Sequence, residues 1–93
     1  MRRRPTDRAH GPDPRTAALA RLAAAVALGA SPASYQRYVD EARAAGASDD
    51  DLVGTIHAVA SIVGAPRIVA AAPGLALALG YDVDAALEEA DGP

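Results

Sequence analysis

Apolar side chains recur at three- and four-residue spacing through the stretch from residue 14 to residue 80, and nowhere do they alternate as they would along a half-buried strand. The pattern predicts helices alone. A first helix starts at Asp13-Pro14, a capping carboxylate followed by a residue with no amide hydrogen to satisfy, and runs to about Leu28 before Gly29. Leu19, Leu22, Val26 and, on the flank, Leu28 form its expected buried stripe, with Arg15 and Arg21 left to solvent.

Ser31-Pro32 repeats the start signal and opens a second helix to about Ala45, closed by Gly46 as a left-handed cap. Tyr35, Tyr38, Val39 and Ala42 share one of its faces, while Gln36, Arg37, Asp40, Glu41 and Arg43 point elsewhere. Ser48 with Asp51 three residues on reads as a capping box for a third helix, and the acids of Asp49-Asp50-Asp51 suit the positive end of its dipole. Leu52, Ile56, Val59 and Val63 are the expected core stripe of that helix, with Val53 and His57 stacked on its flank. Gly64-Ala65-Pro66 breaks it. Helix is expected to return over residues 67 to 72, to be interrupted at Pro73-Gly74, and to resume from Leu75 to Leu79. A last short helix starts at Asp82 or Asp84 and ends by Ala90, where Glu88, Glu89 and Asp91 sit against the dipole and predict fraying.

The organisation that follows is a basic, disordered tail over residues 1 to 13, one helical domain over residues 14 to 90, and a tail over residues 91 to 93. Ninety-three residues allow one small domain. Hydrophobic residues make up 51% of the chain, but many are Ala, with no Phe or Trp and only three Tyr, so each buried side chain contributes little area. Burying helix faces against identical copies is the expected source of the missing stability.

Cysteine is absent, which excludes a disulfide framework, a thiolate nucleophile, a Cys-ligated metal, and with them thiol peroxidase or thiol-exchange chemistry. The net charge of -3 conceals an asymmetry: Arg2, Arg3, Arg4 and Arg8 face only Asp7 and Asp13 in the tail, and an acidic body follows. The short basic tail lacks interleaved aromatics, so no nucleic-acid partner is expected. No apolar run is long enough to cross a bilayer, and Arg2 to Arg4 precede no secretory core, so neither a membrane nor export is expected and the cytoplasm is the default.

Ser31-Pro32-Ala33-Ser34-Tyr35-Gln36-Arg37-Tyr38, the Gly46-to-Leu52 junction and Gly64-Ala65-Pro66 together resemble the carboxymuconolactone decarboxylase and AhpD-like family over roughly residues 17 to 80. The resemblance implies an all-α, AhpD-like domain of about five or six helices that assembles as a homo-oligomer, a trimer or a hexamer. It also sets Ser31 and Ser34 on the two cysteines of the family's redox members and Tyr38 on their His. Decarboxylase-type members commonly carry Glu at the Ser34 position, and the acidic relay residue of peroxidase-type members falls near Leu19.

The candidate catalytic residues are therefore Tyr38, His57 and Ser34, with no cofactor and no metal expected. His57 is the imidazole within the domain, a general base or a hydrogen-bond partner for Tyr38, or else a flank residue bonded to a carbonyl or lying in a subunit interface. Ser34 and Tyr38, four apart on one helix face, suit the orientation of a small polar ligand; the opposing reading is that Tyr35 and Tyr38 simply fill an Ala-rich core. Ser31 is a cap. Asp49, Asp50 and Asp51 diverge by about 100° each and read as capping charges rather than cation ligands. His10, in the tail, is given no role.

Two functions fit. One is a cofactor-free lyase or isomerase-type enzyme, or a binder, acting on a small lactone or carbonyl compound in an inter-helix pocket; the other is a catalytically inactive homologue that persists as a structural or partner-binding oligomer.

Overall fold

A computed structural model describes residues 11 to 80. Among them are four α-helices and no strand: α1 Pro14–Leu28, α2 Pro32–Ala44, α3 Asp49–Val63 and α4 Ala65–Leu79. The first ten residues of the basic tail and the expected last helix, from Asp82 or Asp84 to Ala90, lie outside the described residues.

Each of the first three helices starts where its cap dictates. The Asp13 carboxylate accepts from the Thr16 amide at 2.8 Å, and Ser31 Oγ accepts from the Ser34 amide at 3.2 Å. Ser48 and Asp51 exchange a reciprocal pair, Asp51 N to Ser48 Oγ at 3.0 Å and Ser48 N to Asp51 Oδ2 at 2.9 Å. At its far end α1 stops on Gly29 in the left-handed region, the amides of Gly29 and Ala30 returning to the Val26 and Ala25 carbonyls. Gly46, also at positive φ, follows the end of α2 by two residues.

The core is a seam along α1, α2 and α4. Leu22 and Val26 from α1, Tyr35, Val39 and Ala42 from α2, and Ala71, Leu75 and Ala78 from α4 are buried, and Leu52 closes the seam from α3. At about 1.5–3 kcal/mol for each fully buried Leu or Val, the four largest sealed side chains, Leu22, Leu52, Val26 and Val39, carry much of the apolar stabilisation. α2 packs against both α1 and α4, and α3 packs mainly against α1; α2 and α3 share scarcely any contact.

Three expectations change. Leu28 is 81% exposed rather than on the flank of the core, because it lies two residues beyond Val26, about 200° around the helix from the seam. On α3 only Leu52 is buried; Ile56, Val59 and Val63 are half-buried, since no element among the described residues covers the outer half of that stripe. Pro73-Gly74 does not interrupt the last segment: α4 runs unbroken from Ala65 to Leu79 through Pro73, one helix where two were expected. The lost amide donor is offset by docking Ala71, Leu75 and Ala78 onto α2, and Gly74 is a contact point rather than a terminator.

Candidate functional site

The Ser31 and Ser34 hydroxyls are bonded to each other at 3.1 Å across the first turn of α2. Ser31 caps that turn, as its Pro32 neighbour predicts. One turn on, Tyr38 is half-buried and lines a cavity of about 590 Å³ between α1 and α2, together with Pro14, Ala18, Arg21, Arg37, Glu41 and Ala45. The Arg37 guanidinium stands 5.6 Å above the Tyr38 ring and pairs with Glu41 at 3.3 Å, so one cation of this cavity is already neutralised.

His57 is exposed on α3 and belongs to none of the described cavities. Since α2 and α3 scarcely touch, the chain does not bring Ser34, Tyr38 and His57 to one cavity within a single protomer. Leu19, at the position the family resemblance gives to a proton relay, lines an apolar groove between α1 and α3 with Ala23, Val59 and Ile62.

Two of the three acids at the head of α3 are engaged in capping and pairing. Asp49 accepts from Arg43 at 3.0 Å, and Asp51 holds the capping box and stands 3.5 Å from Arg15. The backbone amide of Ser48 is the main cause that holds the Asp51 carboxyl below its ordinary pKa, and the Thr16 amide does the same for Asp13. Both carboxylates are thus stabilised in the charged form they need as caps.

A second inter-helix cavity, of about 520 Å³, lies where the turn from α1 to α2 meets the head of α4. Pro32 and Tyr35 wall it on one side, Pro66, Arg67 and Ala70 on another, and Gly29, Ala30 and Gly74 keep it open. The Arg67 guanidinium sits over Gly29: a β-carbon there would meet Nη1 at 3.2 Å. Sequence reasoning gave Tyr35 to the core and left Arg67 without a role. The available signal was Gly64-Ala65-Pro66-Arg67, a helix restart with a cation in its first turn.

A model of the carboxymuconolactone decarboxylase family matches residues 6–76. That span starts nearer the N-terminus than the block carrying the sequence resemblance. No curated protein and no solved structure matches the chain.

Proposed function

Because the chain belongs to the carboxymuconolactone decarboxylase family, we propose that what it keeps of that family is the helical fold and its self-association, without the thiol chemistry. It works as a homo-oligomer, a trimer or a hexamer, and has no thiol peroxidase activity. The observation that carries this reading is the apolar surface left open among the described residues. Ile62 is 85% and Val69 70% exposed, and Val53 and Leu77 are also exposed. Two apolar grooves flank α3, one lined by Leu19, Val59 and Ile62, the other by Ile56, Ile68 and Leu79. Apolar surface of that extent around a thin core marks an interaction site.

Sedimentation equilibrium of the full chain tests it. A defined oligomer that Ile62→Asp disrupts is expected; a monomer at every concentration refutes the reading.

The second reading is a small-molecule enzyme or binder in which Tyr38, Ser34 and His57 handle a lactone or carbonyl compound without a cofactor. It is favoured by the polar cavity beside Tyr38, with Arg21 on its wall. In this reading His57 reaches the ligand from a neighbouring protomer. Ligand-dependent thermal stabilisation lost in Tyr38→Phe and His57→Ala supports it; stabilisation unchanged in both sinks it.

A further inference from the structure

We propose that the cavity between the α1–α2 turn and the head of α4 binds a small organic carboxylate, Arg67 pairing with the carboxylate and the apolar walls receiving its hydrocarbon body. The inference is independent of whether the chain assembles.

Charge balance is the first argument. Arg15, Arg37 and Arg43 each have a carboxylate partner, at 3.5, 3.3 and 3.0 Å. Among the described residues Arg67 has no ion pair, and no Asp or Glu among them lines its cavity. Arg21 is likewise without an ion pair there, but its cavity already contains Glu41. The site at Arg67 is thus the one described cavity that holds a cation and no carboxylate of its own.

Shape is the second. Gly29, in the left-handed region at φ 69°, leaves the space in which the guanidinium rests, so the cation stands against the end of α1 at the mouth of the cavity. Pro32 and Pro66 are rigid, Tyr35 is only 2% exposed, and Gly74 lies against both Tyr35 and Pro32, so this wall is fixed before any ligand arrives. Preorganised walls lower the ordering cost of binding. A volume of about 520 Å³ falls within the range of small-molecule pockets.

The same features select the ligand class. A guanidinium presents paired N–H donors that match a carboxylate, whereas a phosphate dianion needs more donors than a single cation among apolar neighbours supplies.

The test titrates the full chain with benzoate and cyclohexanecarboxylate, with benzamide as the uncharged counterpart and inorganic phosphate as the compact anion, following backbone amide shifts by NMR. Either carboxylate is expected to give saturable shifts centred on Gly29, Ala30, Ala70 and Ala71. Benzamide and phosphate are expected to bind at least about tenfold more weakly, a difference of the size that one charge-assisted pair supplies. Arg67→Gln, at an exposed position that the fold tolerates, should weaken the carboxylates about tenfold and leave benzamide unchanged. Ala70→Leu fills the cavity from an exposed helical position and should abolish binding of both. Four results overturn the proposal: no saturable shift with either carboxylate, equal affinity for benzoate and benzamide, unchanged carboxylate binding in Arg67→Gln, or tighter binding of phosphate than of benzoate. Shifts centred on Tyr38 and Arg21 overturn it as well, by moving the site to the other cavity.

Discussion

The ring of Tyr35 lies so close to Gly74 that a β-carbon on the glycine would come within 3.2 Å of its Cδ2, and within 3.3 Å of the Pro32 ring on the other side. This contact joins the start of α2 to the middle of α4 and explains why a Pro-Gly pair sits inside a continuous helix. Alanine at position 74 brings two opposing effects: about 1 kcal/mol gained in helix propensity and a comparable strain against the rigid Pro32. A larger side chain resolves the balance. Gly74→Val is expected to destabilise the chain by about 2 kcal/mol, read as a lower urea midpoint. An unchanged midpoint would mean that Tyr35 swings away without loss.

Arg43 is a second tie between elements distant in sequence. Its Nη2 donates to the Leu79 carbonyl at 2.9 Å, at the end of α4, and to the Asp49 carboxylate at 3.0 Å, at the start of α3. The carbonyl is an acceptor that has no partner within α4 itself, whereas Asp49 is largely solvated, so the two bonds are unequal. Arg43→Met should cost about 1 kcal/mol, and Asp49→Asn less than half of that. Equal losses in chemical denaturation would assign the effect to the ion pair instead.

The two capping carboxylates give the stability a pH dependence of known sign. Hydrogen bonds from the Thr16 and Ser48 amides depress the pKa of Asp13 and Asp51 in the folded chain. Their contribution is therefore full above the ordinary carboxylate pKa of about 4 and is lost as pH falls through the lower folded values. Urea midpoints should be flat from neutral pH to about pH 5 and then decline. Asp13→Asn with Asp51→Asn, which keeps an oxygen acceptor at each position and removes the titration, should flatten the acid limb. An identical limb in the double variant would place the acid sensitivity in other groups.

How far the sequence carries depends on the range of the interaction involved. Local chemistry is legible: Asp13-Pro14, Ser31-Pro32 and Ser48 with Asp51 start the helices where their caps require. Gly29 ends α1 for the same reason, because a left-handed turn is encoded in one residue. Contacts between helices are not legible in that way. Pro73-Gly74 reads as a break unless Tyr35 and Pro32 are known to lie against it, and Leu28 reads as apolar without showing that it faces away from the seam. The candidate site divides along the same line. Periodicity puts Ser34 and Tyr38 on one helix face, but nothing in the spacing reveals that α2 and α3 scarcely touch, which leaves His57 apart from them within one protomer. Nor does it bring Arg67 over Gly29, since those residues belong to the two ends of separate helices.

The contrast between Leu52 and Ile62, both on α3, separates folding from assembly. Leu52 is fully buried within the protomer, and Leu52→Ala should lower stability by about 2–5 kcal/mol whatever the state of association. Ile62 is 85% exposed, so Ile62→Asp removes almost no contact from the protomer itself. Its expected effects are a fall in sedimentation mass and a loss of the concentration dependence of the melting temperature, with the far-ultraviolet helical signal retained. If α3 is instead a free surface, Ile62→Asp leaves mass and melting temperature unchanged, and the apolar grooves beside it need another explanation. Tyr38→Phe and His57→Ala complete the comparison. A loss of mass in His57→Ala would put the imidazole in a subunit contact, whereas an intact oligomer with lost ligand stabilisation would give it to the chemistry.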